Sequence, residues 1–236
     1  MTFDTNIAPV SYPATEEMAQ KMSPGSWNER LVESYDRVAE LYASRFFTEL
    51  DRKPFDRELL DRYAEAVRGR GKVLELGCGP GHVSRYLSAR GVDVSGLDLS
   101  PEMIDVARRL NSGITFERGN MMELEHADSS LAGIVAFYSL IHLARSDVPR
   151  ALAGFDRVLE PDGVLLIAVH GGDGEIHEEQ FLGEPVAFDA TLFQPEELRS
   201  LFSEAGFAVK EVHARSPYEQ EYPTQRIYVW ATRTRD

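Results

Sequence analysis

Apolar residues recur at helical spacing through Leu31, Tyr35, Val38, Leu41, Tyr42 and Phe46, which predicts an amphipathic helix from Trp27 to about Leu50. Pro54, a favoured first-turn residue, opens a second helix to about Val67. Beyond Lys72 the period changes. Short β-rich runs at 72–77, 92–98, 114–118, 132–138 and 163–169 alternate with helical segments near 82–90, 101–110 and 146–159, the order of a parallel sheet with crossover helices. Ser100-Pro101-Glu102 marks one helix start, with a capping hydroxyl, a first-turn proline and an acid near the positive end. A helix at 195–205 and strands at 207–213 and 226–232 complete the pattern. The expected architecture is α/β: seven strands in one mostly parallel sheet, helices on both faces, and an N-terminal helical lid.

Residues 1–26 hold Pro9, Pro13, Pro24 and Gly25 with little periodicity and read as an extended arm. A length of 236 residues suits one domain over 1–236, with the arm and lid in 1–67, the core in 68–236, and an insertion at about 171–190 that is glycine-rich and acidic. No apolar run approaches the roughly 18 residues of a membrane span, and the N-terminus lacks the pattern of a secretory signal. Cys78 is the only cysteine, so a cytoplasmic location without disulfides is expected. Lys and Arg number 25 against 39 Asp and Glu, a net charge of −14 that disfavours nucleic acid, whose affinity rests on phosphate contacts. A small molecule is the expected partner, and the chain is expected to act as a monomer or homodimer.

Val73-Leu-Glu-Leu-Gly77-Cys-Gly79-Pro-Gly81 is an apolar strand entering a glycine turn before a helix. Such a turn lets a ligand lie against bare backbone beside helix amides. A dinucleotide fingerprint needs its third glycine where this chain has His82, and no Gly-Lys-Ser/Thr follows, so NAD, FAD and P-loop sites are disfavoured. Glu75 in the apolar strand needs donors, either loop amides or a cationic ligand group. Asp98 ends the second strand, where its carboxylate can accept from both hydroxyls of a ribose. Capping the helix at Pro101 is the rival role, but Ser100 already supplies that cap.

Glu75-Leu-Gly77-Cys-Gly79-Pro-Gly81 together with Gly96-Leu-Asp98-Leu-Ser100-Pro-Glu-Met103 resembles the first two signature motifs of the class I S-adenosylmethionine-dependent methyltransferases. Arg118-Gly-Asn120-Met121 resembles the segment beside the adenine, and Phe155 to Ile167 resembles the helix and strand after the active-site strand. The resemblance runs from Val73 to the end and implies a Rossmann-like methyltransferase sheet with S-adenosylmethionine as cofactor. It implies cofactor contacts at Tyr35, Tyr42, Glu75, Gly77, Cys78, Gly79, Gly81, Asp98, Leu99, Asn120, Met121 and Tyr138. Many relatives carry an acid in place of Asn120, whose carbonyl can still accept from an adenine amine. Tyr35-Asp36-x-x-Ala39-x-x-Tyr42 resembles the N-terminal helix of small-molecule members, with packing alone as the alternative role for its aromatic rings.

Methyl transfer demands alignment, exclusion of water and, for some acceptors, removal of a proton. His142, after the strand that ends at Tyr138, is the leading candidate base, and His170 is the second. No Asn/Asp-Pro-Pro-Tyr segment holds a nucleobase, and His177-Glu178-Glu179 reads as an exposed charged loop, so no metal is expected. The expected reaction is methylation of an oxygen on a hydroxylated or carboxylated metabolite, with nitrogen as the second choice. A non-catalytic cofactor-binding partner protein, its acceptor space filled by the N-terminal helices, is the reading of another class. Phe181, Leu182, Val186, Phe188 and Phe193 would make the lid apolar.

Overall fold

The computed structural model describes residues 24–234; the arm expected over 1–26 lies outside the described residues as far as 23. In chain order the elements are α1 (Pro24–Phe46), a 3-10 turn (Glu49–Arg52), α2 (Pro54–Val67), β1 (Lys72–Leu76), α3 (His82–Ser88), β2 (Asp93–Asp98), α4 (Pro101–Leu110) and β3 (Thr115–Arg118). There follow β4 (Leu131–Phe137), α5 (Val148–Val158), β5 (Leu159–Gly171), β6 (Glu175–Glu178), β7 (Phe188–Thr191), α6 (Pro195–Glu204), β8 (Phe207–Arg215) and β9 (Gln225–Arg233).

The main sheet has seven strands in the order β3-β2-β1-β4-β5-β9-β8. Pairing is parallel from β3 across to β5, and β9 is antiparallel to both β5 and β8. Strand order reverses between β1 and β4, and the crevice outside their carboxyl ends is where ligands bind in open α/β sheets. The helix starting at Pro101 is capped as its sequence predicts, Ser100 Oγ accepting from the Met103 amide at 3.1 Å.

Side chains alternate across β1. Leu74 and Leu76 join the core beneath α5 and α6, whereas Val73 joins the core beneath α2 and α3. Glu75 shares the parity of Val73 and therefore points toward α3. The first helix lies along α4 through the small residues Ala39 and Ala43, packed with Met103 and Val106. Arg109 Nη2 reaches both carboxylate oxygens of Glu40, at 2.6 and 2.7 Å, across that seam.

Two expectations change. The insertion is not loop alone: β6 and β7 pair antiparallel as a separate two-stranded sheet, with Glu175 opposite Thr191 and Glu178 opposite Phe188, so His177 lies on a strand. Charged residues hide this strand from hydropathy, because one face is solvated and only Ile176 turns partly inward. The strand expected at 163–169 begins at Leu159, since β5 already pairs with Leu131 of β4 before Gly163. No helix among the described residues is long and apolar enough to cross a membrane.

Candidate functional site

The turn after β1 is built by three glycines with positive φ: 63° at Gly77, 49° at Gly79 and 77° at Gly81. At Gly77 an added Cβ would stand 2.2 Å from Cβ of Ser139, so the turn and the end of β4 meet without room for a side chain. At Gly79 the nearest atom to such a Cβ is Cε1 of Tyr42 at 3.8 Å, which leaves the backbone facing open space under that ring. Register places Leu76 beside Leu97, so Asp98 reaches the turn directly. One oxygen of its carboxylate accepts from the Gly79 amide at 2.8 Å and the other from the Ser100 amide at 2.9 Å. Burial raises the pKa of Asp98, and these amides oppose the rise. Each oxygen keeps acceptor capacity for a ligand hydroxyl.

Gly77, Gly79, Asp98 and Leu99 line a cleft outside the carboxyl ends of β1 and β2. Asn120, Met121, Tyr138 and His142 border it from the sheet side, and Tyr35 and Tyr42 from α1. A cleft with bare glycine backbone, the half-buried Asp98 carboxylate and an apolar Met121 fits a nucleoside carrying an amino acid. Asn120 Oδ1 accepts from the Met122 amide at 2.9 Å, which commits one of the lone pairs expected for an adenine amine to the turn itself.

Glu75, Cys78 and Gly81, expected on the cofactor, do not line the cleft. Glu75 Oε2 accepts from the amide of Ser84 in α3 at 2.8 Å and from its hydroxyl, so the carboxylate ties strand to helix. Its burial, opposed by His82 and Ser84, lifts the pKa to about 7. Cys78 is buried with Ile104, Ala107 and Phe116, and a Cβ at Gly81 would stand 2.6 Å from the Phe116 ring. These positions shape the turn from below.

His142 closes a 3-10 turn after β4, and both ring nitrogens are engaged. Nδ1 lies 2.9 Å from the carbonyl of Asp189, which can only accept, so Nδ1 carries the proton. Nε2 must then accept, and the Tyr35 hydroxyl 2.8 Å away donates to it. Burial depresses the pKa of His142 to about 4 and pushes that of Tyr35 up, so neutral imidazole meets protonated phenol. The Tyr35 ring also meets Phe181 edge-on at 5.9 Å, and Phe181 stacks on Phe188 at 4.8 Å. The first helix and the insertion thus interlock above the cleft.

A second cavity, about 890 Å³, shares the walls formed by Tyr35, Tyr42 and Tyr138 with the cleft. Tyr138 holds φ at 58°, in the left-handed region where a bulky residue is strained, and strain of this kind concentrates at functional sites. Its hydroxyl reaches Asp56 Oδ1 at 3.3 Å and Tyr228 at 3.1 Å. His170 lines this cavity rather than the cleft. Its Nδ1 is 2.6 Å from Thr224 Oγ1, which also accepts from Arg226 at 2.7 Å. Burial and the neighbouring Arg226 hold the pKa of His170 at about 3, so its imidazole is neutral.

Beneath the cavity runs an ionic chain that sequence reasoning missed. Asp56 pairs with Arg215 at 2.9 Å, Arg215 with Glu221 at 2.6 Å, and Lys53 with Glu221 at 3.5 Å and Glu49 at 2.8 Å. Glu49 then meets His82 at 3.1 Å. Burial would raise Glu49, but His82 and Lys53 hold it at about 2. Lys53 and Asp56 flank the Pro54 helix start, and two charges there, both buried, were the available signal.

A family model described as a methyltransferase domain matches residues 73–163. The malonyl-[acyl-carrier protein] O-methyltransferase of Serratia marcescens is 34% identical over 124 residues, which are 47% of this chain and 48% of that protein. O-methyltransferase cnsE of Penicillium expansum is 30% identical over 148 residues, 59% of this chain and 53% of the relative. The chain spans about half the length of these curated relatives. A SAM-dependent methyltransferase structure from Methanosarcina mazei superposes with a TM-score of 0.63 over 70% of this chain and 93% of the other; at 20% identity the likeness is one of fold.

Proposed function

We propose that the chain, whose residues 73–163 match a methyltransferase domain, is a class I S-adenosylmethionine-dependent methyltransferase that moves a methyl group to an oxygen of a small hydroxylated or carboxylated metabolite. The observation that carries this reading is the wall shared by cleft and cavity, where Tyr35, Tyr42 and Tyr138 border both spaces. A cofactor in one and an acceptor in the other would meet there. The acceptor space is open, which favours a transferase over a non-catalytic relative with that space filled.

Bound in the cleft, S-adenosylmethionine supplies an electrophilic methyl carbon on a sulfonium. Asp98 would hold the ribose hydroxyls, Met121 and Asn120 would border the purine, and the backbone at Gly77 and Gly79 would admit the remainder of the cofactor. Tyr35 and Tyr42 exclude water from the reacting side, and their faces favour a neighbouring cation. For a hydroxyl acceptor, Tyr35 takes the proton as it passes its own to His142 Nε2, while the Asp189 carbonyl holds the imidazole in the accepting tautomer. With its pKa held at about 4, His142 is neutral at pH 7 and its Nε2 lone pair is free of a proton, and the Asp189 carbonyl favours the imidazolium the relay would form. His170 lines the acceptor space as a neutral imidazole. In this reading residues 24–67 and the insertion at 171–190 form the lid of one catalytic unit, with no call on nucleic acid.

The test is calorimetry with S-adenosylhomocysteine followed by a screen of hydroxylated, carboxylated and amino metabolites for transfer of labelled methyl. Binding of the product cofactor and labelling at oxygen are expected. Tight NADH binding with no affinity for S-adenosylhomocysteine would overturn the cofactor assignment, and labelling confined to nitrogen would overturn the choice of oxygen.

A further inference from the structure

The second cavity is electrically lopsided. Of the cations that line it, Lys53 is neutralised by Glu49 and Glu221, and Arg226 lies 3.8 Å from Glu221. Arg45, in the last turn of α1, and Arg52, at the end of the 3-10 turn, also line it, both exposed. Neither has a carboxylate partner among the described residues; Arg52 only accepts a long contact from Gln220 at its backbone carbonyl. The remaining acid of the lining, Glu178 on β6, is engaged by the Tyr222 hydroxyl at 3.2 Å. Two guanidinium groups without counter-ions are notable in a chain of net charge −14, where acids outnumber bases 39 to 25. The same cavity has apolar lining from Phe46, Phe181, Leu182 and Phe188.

We propose that this cavity takes an amphipathic anion as acceptor, its carboxylate or phosphate group held by Arg45 and Arg52 and its apolar body lying against Phe46, Phe181 and Phe188. Guanidinium forks match both anions, which is the shared chemistry. Glu178 on the insertion side repels the same group and sets the orientation. The inference rests on the reading of this cavity as the acceptor site, but its test needs no methyl transfer.

Two dyes with one skeleton separate charge from shape: 1-anilinonaphthalene-8-sulfonate is anionic and N-phenyl-1-naphthylamine is neutral. With the full chain saturated with S-adenosylhomocysteine, the anionic dye is expected to bind about tenfold more tightly. Octanoate or octyl phosphate should displace it while octanamide does not, and the better competitor of the two anions identifies the group. The double variant Arg45→Gln/Arg52→Gln should lose that tenfold for the anionic dye and leave the neutral dye unchanged. Arg150→Gln, a remote change of the same sign on an exposed pair with Glu123, serves as the charge control. Equal binding of the two dyes, or a loss in the double variant no greater than in Arg150→Gln, overturns the proposal. Failure to bind S-adenosylhomocysteine at all would instead count against the methyltransferase reading.

Discussion

The hydroxyl of Tyr35 on the first helix donates to Nε2 of His142, 2.8 Å away and 107 residues further along the chain. Because Nδ1 of the same ring donates to the carbonyl of Asp189, one imidazole joins the N-terminal helix, the end of β4 and the insertion. The site's candidate base and its closure are therefore one assembly.

Tyr35→Phe keeps the ring and removes the relay. Turnover of a hydroxyl acceptor is expected to fall by about tenfold to a hundredfold, and that of His142→Ala by roughly a hundredfold or more. Steady-state kinetics of the pair and of the double variant give the check. In one relay the double variant is no worse than His142→Ala, whereas independent losses that multiply would separate the two residues.

Asp98→Ala should weaken S-adenosylhomocysteine by about 1.5 to 3 kcal/mol, the value of charge-assisted hydrogen bonds. The Gly79 and Ser100 amides also lose their acceptor, so the turn loosens. Titration calorimetry on Asp98→Ala and Asp98→Asn measures the effect, and unchanged affinity would remove Asp98 from the ribose.

The two glycines at the cleft should respond differently to alanine. Gly77→Ala drives a Cβ to 2.2 Å from Cβ of Ser139 at positive φ, so a loss of about 2 kcal/mol or more in folding stability is expected. Gly79→Ala meets nothing closer than 3.8 Å and carries only the backbone cost of about 1 kcal/mol. Its methyl occupies the cleft instead. Denaturant melts with cofactor titrations test the split: Gly79→Ala should fold and bind poorly, and full cofactor affinity in that variant would contradict the cradle.

Acidification should destabilise the fold. His142 and His170 sit at about 4 and about 3 against an ordinary 6.5, so between pH 6.5 and 4 the unfolded chain binds the more protons and stability falls with pH. Glu75, at about 7 against 4.5, works the other way: between pH 7 and 4.5 the folded chain holds a proton that the unfolded chain has lost. Two groups oppose one, and Glu49 and Glu221, both held at about 2, add their loss below pH 4.5. Thermal melts from pH 7 to 5 should show a falling midpoint, steeper in Glu75→Gln and shallower in His170→Gln. A midpoint independent of pH would contradict the assignment of both imidazoles as neutral.

What the sequence determined by itself is local. Gly77, Gly79 and Asp98 were legible because positive-φ backbone and the end of a parallel strand leave short-range signatures, and the helical spacing of Tyr35 and Tyr42 put both rings on one face. Parity along β1 placed Glu75 opposite Leu74 and Leu76, yet only the packing of α3 revealed Ser84 as a donor to it. The strand Glu175–Glu178 had too little apolar alternation to be seen, since its stability comes from pairing with Phe188–Thr191. Tertiary structure alone decided that His142 accepts from Tyr35, which lysine is neutralised, and that Arg45 and Arg52 line one cavity with Phe181. Hydrogen-bond partners, burial and electric field depend on residues brought together from across the chain, and no spacing in the sequence encodes those distances.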